Sequence, residues 1–217
     1  MNKQTGFTLI ELAIVLVIIG LLLGGVLRGQ ELINSAKVKN MARDFQNVQV
    51  YIYGYQDKYK ALPGDDANAA THLAGAATIT NGNGNGVIEG AWNSTTPSDE
   101  SVNFWQHVRL AGLAPGTTVV PTAAGANPYY PTNADGGRVG VQSVSTFTTI
   151  TGMTGAYVIC SDGILGKFAL QLDTTLDDGD PSTGSVRAIT TGTSGAGMNT
   201  AAVNAAINAT YTVCMTI

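Results

Sequence analysis

Gly6-Phe7-Thr8-Leu9-Ile10-Glu11 opens an apolar run that continues to Leu27, and the architecture follows from how that stretch is read. Between Phe7 and Leu27 the only charged residue is Glu11. About 20 apolar residues in a helix match the hydrocarbon thickness of a bilayer, so residues 7–27 are expected to form a transmembrane helix. A charged side chain at mid-membrane costs about 2.5–3.5 kcal/mol on insertion scales, so an intramembrane carboxylate marks function and calls for a partner. An ordinary secretory signal places its apolar core before the cut and small residues at it. Here the apolar run follows Met1–Gly6. A plain signal anchor accounts for the span and for Lys3, but not for Glu11.

Working outward, the helix has no reason to stop at the end of the apolar run. The first proline is Pro63, followed by Gly64, so a single helix is expected from Gly6 to about Lys60. At 1.5 Å per residue that is about 80 Å. Its second half changes character. Leu32, Ile33, Ala36, Met41, Phe45, Val48, Ile52 and Tyr55 recur at spacings of three and four among Lys37, Lys39, Arg43, Asp44 and Gln46. That is an amphipathic stripe able to carry a globular head. Gly20, Gly24 and Gly25 weaken the apolar half as a helix but allow close helix approach in a membrane. Arg28 marks the membrane boundary. Tyr51, Tyr55 and Tyr59 share one face, with Tyr53 off it, and read as packing of the helix against the head.

Residues 61–217 suit a single β-rich head with long loops. Ala61–Asn103 is rich in Gly and Asn, and Pro115–Gly137 contains Pro121, Pro128 and Pro131. Between them Ser98-Asp99-Glu100 opens a short helix to about Leu110, with Val102, Trp105 and Val108 as its apolar face. After Arg138 the pattern turns to strands: Val139–Ile150, Tyr157–Cys160, Lys167–Leu172, Ser185–Ile189 and Tyr211–Ile217. Asn199–Ala209 reads as a further short helix. The fold class is therefore α+β, a long N-terminal α-helix with a transmembrane half and an amphipathic half, the latter packed on a C-terminal antiparallel β-sheet of about four strands.

Composition excludes some functions. The 217 residues carry a net charge of -4 and no cluster of Lys or Arg, which argues against specific nucleic-acid binding. Of the histidines, His72 and His107, neither sits in a His-Glu-x-x-His pattern. No Gly-x-Ser-x-Gly and no Gly-x-x-x-x-Gly-Lys occurs. The chain is read as no enzyme, with His107 as a packed structural side chain.

Lys3 and Gly6 followed by Phe7-Thr8-Leu9-Ile10-Glu11 resembles the class III signal of type IV pilins and type II secretion pseudopilins. The resemblance implies a prepilin peptidase cut between Gly6 and Phe7, N-methylation of Phe7, and pairing of Glu11 with the Phe7 ammonium of a neighbouring subunit. It implies a leader at 1–6, a helix at 7–60 whose 7–27 part spans the membrane and drives assembly, and a pilin-like head at 61–217. It also implies partners: identical or related subunits, the peptidase/methylase and an inner-membrane assembly platform. The subunit would wait in the inner membrane, then enter an extracellular pilus or a periplasmic pseudopilus. Three roles fit the resemblance: body subunit of a type IV pilus-like filament, secretion pseudopilin, or minor tip pilin acting as an adhesin through residues 61–137. Outside the cytoplasm the even pair Cys160 and Cys214 reads as one disulfide, the alternative being two buried thiols.

Two loops draw attention as cation sites. Asn81-Gly-Asn-Gly-Asn-Gly86-Val-Ile-Glu89 resembles half of an EF-hand loop, with asparagines in place of acids and Trp92 at the twelfth position. Asp173, Asp177, Asp178 and Asp180 place four carboxylates within eight residues, a denser set that Ca2+ could neutralise. The alternatives are an Asn-Gly turn region and a solvated turn tipped by Asp178-Gly179.

Overall fold

The computed structural model describes residues 9–75, 78–122 and 129–217; Gly6 and Phe7, the expected cleavage pair, lie outside these. Helix α1 runs Leu9–Tyr59, 51 residues without interruption. The chain divides into two compact units, one ending at Lys37 and the other comprising Val38–Ile217. In the first, every large apolar side chain from Leu9 to Leu27 is exposed. The helix is long and apolar enough to cross a membrane. Leu32 and Ile33 are exposed as well, at 72% and 60%, so the amphipathic stripe begins later than its spacing suggested.

In the second unit α1 buries Val38, Met41, Ala42, Phe45, Val48, Ile52 and Tyr55, the three-and-four spacing of one helical face. These join the sheet in one apolar core that includes Val141, Ile159, Val213 and Met215. Truncating one such side chain, for example Phe45→Ala, typically costs about 3–5 kcal/mol. The helix closes at Lys60, whose φ of 57° is left-handed and whose N–H bonds Gln56 O at 2.9 Å. Glycine usually takes that closing position.

The sheet has four antiparallel strands in the order β1-β2-β4-β3: β1 Val139–Ser143, β2 Tyr157–Leu165, β3 Val186–Thr190 and β4 Thr210–Thr216. Alternation assigns its two faces. Ile159, Val213, Met215, Val186 and Ala188 enter the core shared with α1. Val158, Cys160, Cys214 and Ile189 turn the other way, onto Trp92, Ile150 and Met153. Cys160 and Cys214 sit directly opposite in the β2–β4 register and form a disulfide with a Cα–Cα distance of 4.0 Å.

Among the described residues four shorter α-helices complete the head, α2 Ala69–His72, α3 Glu100–Leu110, α4 Gly166–Leu176 and α5 Thr200–Ala205, and a 3-10 turn at Val144–Thr146 ends the strand expected to reach Ile150. The strand expected at Lys167–Leu172 is helix α4. Its buried set, Phe168, Ala169, Leu172 and Asp173, has helical and not alternating spacing. The preceding strand β2 instead runs on to Leu165, past a register shift between Ser161 and Ile164 where Gly163 has φ 67°. Helix α3 also departs from expectation. Every residue from Glu100 to Arg109 is buried, so its polar side faces the loops of the head and not solvent.

Candidate functional site

Three regions were singled out in the sequence: the N-terminal segment, the Asn-Gly loop and the acidic loop. Glu11 lies in the first turn of α1 and is exposed among Leu9, Ile10 and Leu12. A carboxylate there favours the positive end of the helix dipole.

The Asn-Gly loop wraps two buried carboxylates. Asp65 Oδ1 accepts the Gly84 and Asn85 N–H groups at 2.7 and 3.1 Å, and its Oδ2 accepts that of Gly86 at 2.7 Å. Glu100, at the start of α3, accepts the N–H groups of Asn83 and Glu89, each at 3.0 Å. Gly84 and Gly86 have φ values of 75° and 84°, which turns successive N–H groups inward as an anion nest. The chain's own Asp65 fills that nest. The loop therefore aims N–H donors at carboxylates, the reverse of the oxygen cage that its resemblance to an EF-hand suggested. Burial raises the Glu100 carboxyl above its usual range, as do the Asp65 and Glu89 charges, against the two N–H bonds that lower it.

Helix α3 ties the remaining loops through its polar side chains. His107 Nδ1 accepts the Gly64 N–H at 2.9 Å, and Nε2 lies 2.9 Å from Thr80 O. These bonds require a neutral ring with its proton on Nε2, and burial lowers the His107 pKa accordingly. Gln106 Nε2 donates to Thr78 O and Thr118 O. Arg109 donates to Pro115 O, Thr117 O and Tyr129 O and lies over the Tyr129 ring at 4.9 Å. Sequence reading missed this cluster. Its signal was a second stripe, Glu100, Asn103, Gln106 and Arg109, spaced by three and normally taken as a solvent face.

A neighbouring chain of polar groups joins Tyr55, Asp66 and His72. The Tyr55 hydroxyl donates to Asp66 Oδ2 at 2.8 Å, and His72 Nδ1 lies 2.7 Å from the same oxygen. Burial pulls the Asp66 carboxyl upward. The bonds from His72, Tyr55 and the Asn68 N–H outweigh it and hold the group below its usual range. Tyr59 stacks on His72 at 5.3 Å and contacts Tyr55 at 4.7 Å, so the expected tyrosine face does pack against the head. Asp66 and His72 line a cavity of about 670 Å³ that also touches Tyr59 and Lys60.

In the acidic loop the four carboxylates turn to separate tasks. Asp177 Oδ2 accepts the Val186 N–H at 2.9 Å and that of Ser185. Asp178 serves the Asp180 N–H and the Thr183 hydroxyl, and Asp180 serves Ser182. Asp173 is fully buried; its Oδ1 accepts the Gly179 N–H at 2.7 Å and its Oδ2 has no hydrogen bond among the described residues. Burial first, then the neighbouring carboxylates, raises its pKa to about 6. Among the described residues no group of three His, Cys, Asp or Glu side chains is arranged to hold a metal ion.

With the fold in place, the comparisons assign the N-terminal segment. Residues 1–27 match the family model described as the prokaryotic N-terminal methylation motif. The chain carries the signal motif of type IV pilins and pseudopilins, ahead of a pilin-like α+β architecture. That motif supports a protein of the type IV pilin or pseudopilin class, a structural and not a catalytic class, and it implies processing by prepilin peptidase. No curated protein and no solved structure matches the chain.

Proposed function

We propose that the protein is a body subunit of a type IV pilus-like filament. It is held in the inner membrane by residues 7–27, cut between Gly6 and Phe7, N-methylated at Phe7 and polymerised through α1. The observation that carries this reading is the methylation motif set against an apolar helical stretch, Leu9–Leu27, none of whose residues is buried in its own chain. In a bundle of such helices the apolar surface supplies adhesion. Glu11 of one subunit neutralises the new Phe7 ammonium of the next, a pairing that fixes register because a lone charge in apolar surroundings is strongly disfavoured.

A second reading, a type II secretion pseudopilin, uses the same helix chemistry in a periplasmic pseudopilus. A third, a minor tip adhesin, places ligand binding on residues 61–137. Electron microscopy of fibres sheared from cells, with N-terminal sequencing of their subunit, tests the choice. Abundant extracellular fibres whose subunit begins at methylated Phe7 support the pilus. A mature chain confined to the periplasm supports the pseudopilin. A mature chain that begins at Met1 overturns all three.

A further inference from the structure

Asp44 is half-buried on the head-bearing part of α1, with no hydrogen bond or ion pair to its carboxylate among the described residues. It lines a pocket of about 180 Å³ in which it is the only charged residue. The other walls include Tyr51, Trp105, Pro115, Pro131 and Val139. A more open pocket of about 350 Å³ shares Asp44 and Asn47 and continues past Asn40 and Arg43. Arg43 lines only the second pocket; the first, a groove beside α1, has Asp44 as its single charged wall.

Burial acts on the Asp44 carboxyl, raising its pKa to about 6, with no cation among the described residues to offset it. Arg109 is committed to the carbonyls of Pro115, Thr117 and Tyr129. Arg43 lines the neighbouring pocket together with Asp44 but makes no ion pair with it. An apolar-walled slot with one unbalanced carboxylate suits a basic side chain, whose stem lies on the proline and indole walls while its charge meets the acid.

We propose that this groove receives a lysine or arginine side chain from a second copy of the chain, with Asp44 pairing to its charge. The inference rests on the filament reading: the groove runs along α1, the element through which copies are proposed to associate, and its one charge calls for the opposite sign. The carboxylate is then a cost to the single subunit that assembly removes.

The test uses full-length protein made as a mixture of unlabelled and 15N-labelled copies, assembled and treated with a zero-length carbodiimide. Mass spectrometry is expected to find Asp44 joined to a lysine of a differently labelled copy, or, if the occupant is arginine, Asp44 protected from amine coupling in the polymer but not in dispersed subunits. Asp44→Asn is expected to keep or raise the melting temperature of the dispersed subunit while lowering polymer yield roughly tenfold, the weight of about one partly buried ion pair. Asp44→Lys is expected to block assembly. Wild-type yield from both variants, with assembly still lost in Glu11→Val, overturns the groove and leaves the filament reading intact. Asp44 joined to a different protein also overturns it. Absence of any polymer from the wild type overturns both.

Discussion

The ring of His107 takes the Gly64 N–H on Nδ1 at 2.9 Å, which locks the turn after α1 onto the middle of α3. Nε2 is tied to Thr80 O on the other side, and the ring has no exposed surface. One neutral imidazole therefore holds two loops to one helix, with Tyr55 and Asp66 facing it.

Protonating His107 would remove the acceptor for Gly64 and bury a charge. Its folded pKa lies below the unfolded value of 6.5, so the unfolded chain binds the proton more readily. The contribution is complete above about pH 6.5 and is lost as pH falls below that value. Thermal melts of wild type and His107→Gln between pH 5 and 8 check this. The variant should melt about 2–6 °C lower at pH 7.5, and the difference should shrink toward pH 5.

Asp173 has the opposite sign. Its folded pKa of about 6 exceeds the ordinary 3.8, so the folded chain holds the proton more tightly. Its contribution favours folding below about pH 4 and is lost as pH rises to about 6. Asp173→Asn keeps an oxygen for the Gly179 N–H and carries no charge. It should raise the melting temperature at pH 7 by about 2–4 °C and have no such effect at pH 4.

Removing both Cys160 and Cys214 as alanines should lower unfolding free energy by about 4 kcal/mol, because the bridge closes a separation of 54 residues. Urea denaturation of the oxidised wild type and the double variant measures it.

Arg109→Lys keeps the charge but loses the fork that serves Pro115, Thr117 and Tyr129 at once. Limited proteolysis should then cut within residues 113–122 several-fold faster, with α1 unaffected by circular dichroism.

Gly6→Ala should leave the full-length precursor in the membrane, read by N-terminal sequencing. Glu11→Val should be cut normally and yield few or no fibres. Normal fibre yield from Glu11→Val would remove the pairing from the proposed mechanism.

Much of the fold was legible because its signals are local. The proline-free run up to Pro63 and the spacing of Met41, Phe45, Val48, Ile52 and Tyr55 depend only on helical period, and α1 has both features. The strand starts at Val139, Tyr157, Val186 and Thr210 were likewise found to within one residue, but the first, read through to Ile150, ends at Ser143, and the second, read to Cys160, runs to Leu165. Lys167–Leu172 was misread because a six-residue stretch mixing Phe, Ala and Leu fits either period. Packing against the sheet chose the helix.

The sequence by itself determined the N-terminal motif, the long helix and where four strands begin, since membrane length, motif offsets and side-chain period are properties of neighbours in the chain. Only the tertiary structure decided where polar groups went. Glu100, Gln106 and Arg109 look like a solvated helix face, and become interior ties because loops distant in the chain bring unpaired N–H and carbonyl groups to them. Asp65 likewise satisfies a nest of N–H groups about twenty residues away, and Asp44 lines a slot with no other charged residue in its walls. Burial and hydrogen-bond balance depend on what arrives from elsewhere in the fold, which no local pattern records.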